Sequence, residues 1–96
     1  MDMGLKDKVA WVTGATGAIG REIALAFARE GAKIAISARS ESELRKLADE
    51  IEQLGSFALA ISVDVTDAEG VGNAAEQVVA QMGRIDVLAT TPARPD

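Results

Sequence analysis

The 96-residue sequence predicts an α/β protein built on a parallel sheet. Short apolar runs alternate with segments whose apolar residues recur at helical spacing, the links between them are a few residues long, and each helical segment ends on a glycine. Strand and helix in such alternation is the pattern of βαβ units, whose crossovers set the strands parallel.

The first strand is expected over 8–13, an apolar run (Val9, Trp11, Val12) suited to cover on both faces. A glycine-rich turn ends it. Helix one follows over 18–30 with Ile19, Ile23, Ala26 and Phe27 as its apolar face, and Gly31 stands just past its end. The second strand is expected over 33–38. Ser40 with Glu43 three residues later has the form of a capping box. Helix two then places Leu44, Leu47, Ile51 and Leu54 on one side, with Gly55 as its stop. The third strand is expected over 57–63. Thr66 and Glu69 suggest a second capping box before helix three, whose stripe is Val71, Ala75, Val78 and Met82. Gly70 and Gly72 lie in its first turns and should cost about 1 kcal/mol each relative to alanine. Gly83 closes that helix, a fourth strand is expected over 85–89, and a proline-broken tail follows from Thr90.

Composition narrows the function. One domain fits this length, and 48% apolar with 26% charged residues is a soluble globular balance. A net charge of −5 argues against nucleic acid or an anionic membrane as the main partner, since both require clustered Lys and Arg. With no cysteine and no histidine there is no disulfide framework, no thiolate metal site and no imidazole base. No metal site is expected. The polar N-terminus lacks a secretion signal and no run approaches a membrane span, so a cytoplasmic setting is the expectation.

The segment Thr13-Gly14-Ala15-Thr16-Gly17-Ala18-Ile19-Gly20 delivers the first strand onto a helix N-terminus. Amides left unpaired at a helix start, reinforced by the macrodipole, form an anion site, and glycines let a pyrophosphate approach the main chain. Glycines alone also serve ordinary turns, but this segment sits between a strand and a helix at the start of a βαβ unit, as a dinucleotide fingerprint requires. A P-loop would need Gly-Lys-Ser or Gly-Lys-Thr, whereas Gly20 precedes Arg21 and Glu22.

This segment, Ala38-Arg39 after the second strand, Asp64-Val65 after the third, and Gly83-Arg84-Ile85-Asp86-Val87-Leu88 entering the fourth together resemble the short-chain dehydrogenases/reductases. The resemblance spans nearly the whole chain and covers the family's N-terminal half. It implies a Rossmann-type three-layer fold with an incomplete parallel sheet in the order 3-2-1-4, the first two helices on one face and the third alone on the other. Two departures stand out. The family's usual turn is T-G-x-x-x-G-x-G, while this chain has Gly17 and Ala18, the T-G-x-x-G-x-x-G spacing of the family's extended branch. Where Asn-Asn-Ala-Gly normally follows the fourth strand, the chain reads Ala89-Thr90-Thr91-Pro92-Ala93.

The resemblance assigns roles. Gly14, Thr16, Gly17, Ile19 and Gly20 would line the pyrophosphate and ribose, Asp64 would accept from the adenine amino group, and Val65 would pack beside the ring. The plainer alternative is that Asp64 simply caps the following turn. An acidic residue ending strand two holds the ribose 2′-OH of NAD, whereas arginine suits the 2′-phosphate of NADP. Ala38 stands where NAD-preferring relatives carry Asp and Arg39 follows, so NADP is expected, with NAD as the alternative and a solvated arginine as the plainer reading.

The family's catalytic set is a tyrosine acid/base, a lysine four residues later and a serine. The chain has no tyrosine, so it contains no complete catalytic set and is expected to be inactive by itself. The expectation is a single NAD(P)-binding domain over residues 1–96, the N-terminal part of a longer single-domain oxidoreductase. Its partners would be the dinucleotide, a small carbonyl or alcohol substrate, and further copies of itself in the full-length form. A non-catalytic binding or sensing module is the rival, because fold alone does not settle function.

Overall fold

In a computed structural model, which describes residues 4–91, the order is β1 (Val9–Thr13), α1 (Ala18–Arg29), β2 (Lys33–Ala38), α2 (Glu41–Gln53), β3 (Ala58–Ser62), α3 (Ala68–Met82) and β4 (Val87–Thr90). The four strands form one parallel sheet in the order β3-β2-β1-β4. The chain winds outward from β1 through β2 to β3, then α3 carries it across the other face and back to the far side of β1. The reversal of direction between β1 and β4 is a topological switch point, the place where open α/β sheets bind ligands at the carboxyl ends of their strands.

β1 is buried along its whole length and β2 from Ile34 onward, because helices cover both faces. Ala10, Val12, Ile34 and Ile36 meet Ala24, Leu25 and Ala28 of α1 and Leu44, Leu47 and Ile51 of α2 on one face. On the other, Val9, Trp11, Ala35 and Ile61 pack with Ala74 and Val78 of α3. Trp11 is 3% exposed, and its Nε1 donates to Ser37 Oγ at 2.9 Å, so the indole is buried with its polar end satisfied.

The helix boundaries follow local chemistry. Ser40 Oγ accepts the Glu43 N–H at 3.3 Å, the cap expected for α2. Gly31, Gly55 and Gly83 all have positive φ, which suits glycine past each helix end.

Several expected details are corrected. The face of α1 turned to the sheet carries Gly20, Ala24, Leu25 and Ala28, while Ile23 and Phe27 flank it, Ala26 is exposed and Ile19 is 65% exposed. Glycine is required at position 20 because the first turn of α1 packs on the glycine turn: a Cβ there would stand 2.2 Å from the Gly14 carbonyl oxygen. Leu54 is the exposed C-cap residue of α2, so its buried stripe ends at Ile51. The N-cap of α3 is Asp67 without a side-chain bond, because Thr66 is taken up by Asp64 and no capping box forms there. β3 is shorter than expected, with Phe57 exposed ahead of it. β4 begins two residues later than expected and runs on to Thr90, which pairs with Thr13. Its start is displaced because Asp86 accepts the Val9 N–H through Oδ2 at 2.8 Å and donates its own N–H to the Val9 carbonyl. Most of the proline-broken tail, from Pro92, lies outside the described residues.

Candidate functional site

Because the strands are parallel, all four carboxyl ends open on the same edge of the sheet, and the expected site residues lie on the segments that leave it. The glycine turn leaves β1, Arg39 leaves β2, Asp64 and Val65 leave β3, and Thr91 leaves β4.

Gly14 takes φ 65, the left-handed region that glycine enters without steric cost, and turns the chain sharply off β1. Two turn amides shape the bend: Ala15 N–H donates to the Ser37 carbonyl at 3.1 Å and Gly17 N–H to the Gly14 carbonyl at 3.2 Å. The first i to i−4 bond of α1 runs from Arg21 N–H to the Gly17 carbonyl at 2.9 Å. Gly17 is the N-cap, and no side chain caps the helix. The first amides of a helix have no acceptor within it, so α1 presents donors and the positive end of its dipole at the switch point. There is no acidic residue in its first turn to neutralise that end. Ile19 projects from this turn as an exposed apolar side chain.

Arg39 and Asp64 share a cleft of about 460 Å³ with Ser62, Asp67, Asn73 and Gln77. Ser62 Oγ donates to the Arg39 carbonyl at 3.0 Å, tying the end of β3 to the chain leaving β2. Asp64 Oδ1 accepts the Thr66 N–H at 2.9 Å and the Thr66 hydroxyl at 2.7 Å. Those two bonds, and the charge of Arg39 to a smaller extent, hold its carboxyl below the ordinary carboxylate range. Asp64 thus caps the turn after β3, and it does so from a position inside the cleft. Val65, 40% exposed, lies beside the cleft on that same turn. Gly70 has a packing reason: a Cβ there would meet Asp67 Oδ2 at 2.8 Å and Val63 Cγ2 at 3.2 Å.

Two residues at this edge escape a reading of the sequence. Ser37 bridges Trp11 through its hydroxyl and the turn through its carbonyl. Thr91 Oγ1 lies 2.9 Å from the Thr13 carbonyl and 3.1 Å from that of Gly14. The pairing of Thr13 with Thr90 puts residue 91 opposite Gly14, a signal visible only once the strand register is known. Among the described residues, no group of three or more His, Cys, Asp or Glu side chains is arranged to hold a metal ion, and no helix is long and apolar enough to cross a membrane.

The fold thus brings a helix N-terminus without a side-chain cap to the switch point, with Arg39 at the end of the second strand and Asp64 at the end of the third. The sequence model described as short chain dehydrogenase matches residues 8–93, and the chain belongs to that family of oxidoreductases. A short chain dehydrogenase of Pseudocercospora fijiensis is 39% identical over 84 residues, covering 88% of this chain and 27% of the relative. The crystal structure of L-sorbose reductase from Gluconobacter frateurii complexed with NADPH and L-sorbose superposes with a TM-score of 0.93 at 38% identity, covering 100% of this chain and 37% of that one. An NAD+-bound xylitol dehydrogenase superposes with a TM-score of 0.85 at 37% identity, covering 88% of this chain and 32% of that one. The chain therefore spans about a third or less of the length of these relatives.

Proposed function

We propose that this chain is the dinucleotide-binding half of an NADP(H)-dependent oxidoreductase that moves hydride between the nicotinamide cofactor and a carbonyl or alcohol substrate. The carrying observation is the uncapped N-terminus of α1 behind a left-handed Gly14 at the switch point, with Arg39 at the neighbouring strand end. The donor set fits a nicotinamide dinucleotide: helix amides for its diphosphate, a guanidinium for a 2′-phosphate, and a carboxylate acceptor in the adjoining cleft. When bound, such a cofactor supplies the hydride.

Within this reading Gly14, Thr16, Gly17 and Gly20 let the main chain come close to the diphosphate, and Ile19 lies against the cofactor. Arg39 pairs with the 2′-phosphate, Asp64 accepts from the adenine amino group through the carboxylate it already holds ionised, and Val65 packs on the ring. Ala38 leaves no carboxylate to hold a 2′-hydroxyl or to repel a 2′-phosphate. NADPH bound to the sorbose reductase supports this choice, and NAD+ bound to the xylitol dehydrogenase keeps NAD as the alternative.

The relatives are about three times as long, and this chain has no tyrosine to act as acid/base. Catalysis accordingly belongs to residues of the parent protein outside this chain, which by itself should not turn over substrate. The parent is read as a cytoplasmic homo-oligomer. The test is equilibrium titration with NADPH and NADH: tighter binding of NADPH is expected, and equal affinities would remove the 2′-phosphate role of Arg39.

A further inference from the structure

The Gly14–Ala15 peptide unit is held at its two ends by residues from two different parts of the sheet edge. Its carbonyl oxygen lies 3.1 Å from Thr91 Oγ1, just beyond β4, and its N–H donates to the Ser37 carbonyl on β2 at 3.1 Å. The Thr91 hydroxyl has a single proton, shared between the successive carbonyls of Thr13 and Gly14 at 2.9 and 3.1 Å. The Gly14 carbonyl also accepts the Gly17 N–H and packs against the Cα of Gly20, so a rotation of this one peptide disturbs the turn and the start of α1 together. Gly14 sits at φ 65, and glycine by itself has several other conformations open to it. Three bonds select this one beyond the β1 ladder, which ends at Thr13: Ala15 N–H to the Ser37 carbonyl, Gly17 N–H to the Gly14 carbonyl, and the side-chain bond from Thr91.

We infer that Thr91 is a positioning residue for the cofactor turn. Its hydroxyl fixes the peptide plane from which the following amides and the α1 N-terminus project, so the grip on the diphosphate depends on a side chain at the end of β4. This rests on the dinucleotide reading above. A hydroxyl does the clamping, with one donor aimed at two acceptors.

The experiment uses the full-length protein and two ligands, NADPH and adenosine 2′-monophosphate, the second lacking a diphosphate. Thr91→Val keeps the shape and removes the donor; Thr91→Ser keeps the donor. The valine variant should bind NADPH roughly five- to tenfold more weakly, as expected for one lost hydrogen bond, while its affinity for adenosine 2′-monophosphate stays unchanged and the serine variant binds NADPH like the parent. A general loss of structure would weaken both ligands alike. Unchanged NADPH affinity in Thr91→Val, or equal weakening of both ligands, overturns the inference. Loss of folded protein in both Thr91→Val and Thr91→Ala but not in Thr91→Ser would make the hydroxyl a fold-holding group and overturn it as well. Failure of the unmutated protein to bind NADPH overturns the dinucleotide reading itself, and that control is read before any variant.

Discussion

The Cα of Gly20 in α1 packs against the carbonyl of Gly14 in the turn so closely that a Cβ would stand 2.2 Å from that oxygen. The obstacle is backbone held by Ser37 and Thr91, so it cannot move aside as a flexible side chain would. Gly20→Ala should push α1 outward, destabilising the protein by about 1–3 kcal/mol in the manner of an overpacked core. Urea unfolding measures this, and an unchanged midpoint would show that α1 slides without cost.

Arg39 lines the cleft with Asp64 in the absence of any acid at position 38. Under the proposed reading, Arg39→Ala should weaken NADPH by at least roughly tenfold, the loss of charge-assisted hydrogen bonds, and leave NADH nearly unchanged. Parallel titrations of both cofactors decide it; a uniform loss would point to a general role in the cleft.

Ser37 Oγ is the acceptor for the buried Trp11 Nε1. Ser37→Ala leaves the indole N–H unsatisfied and should cost about 1–3 kcal/mol. With Phe at position 11 there is no donor to strand, so the same change should cost much less. A double-mutant cycle in denaturant gives the coupling, and additivity would show that another group or water takes over the indole.

Asp86 accepts the Val9 N–H and Arg84 Nε, both at 2.8 Å, joining the entry of β4 to that of β1. The Val9 bond first, and then the Arg84 bond, hold its carboxyl below the ordinary 3.8. A folded-state pKa below the unfolded one gives stability that is complete above the unfolded value and is lost as pH falls through the folded value. Asp86→Asn should therefore flatten the acid limb of the stability curve, with its largest difference from the parent near neutral pH. Unfolding midpoints between about pH 2 and pH 6 test this, and superimposable acid limbs would count against it.

The two glycines that open α3 are not equivalent. A Cβ on Gly72 meets nothing within 4 Å, while one on Gly70 meets the Asp67 carboxylate and Val63. Gly72→Ala should stabilise the protein by about 0.5–1 kcal/mol, and Gly70→Ala should gain less or lose. Thermal unfolding of the two variants side by side is sufficient, and equal gains would refute the distinction.

The elements and their order are legible in the sequence, because βαβ alternation, apolar periodicity and the stop glycines are local signals. Local signals fail where packing distance decides. Ile19 outranks Gly20 in apolarity, yet the closeness of α1 to the turn after β1 buries the glycine and leaves the isoleucine at the surface. They fail again where a side chain is claimed by a neighbour: Thr66 has the right spacing for a capping box but donates to Asp64 instead. The start of β4 depends on Asp86 reaching Val9, a contact across most of the chain. At the site, the turn, Arg39 and Asp64 are readable as motif positions, whereas Thr91 and Ser37 act through the register of strands that are distant in sequence.

The single indole of this protein is sealed under the third helix, against residues that touch the sheet from one side only. Its fluorescence is thus a gauge of whether that layer is seated. A melt followed by tryptophan emission tracks the lifting of α3, while far-ultraviolet dichroism averages over every helix, and any gap between the two curves would reveal the layers parting in sequence.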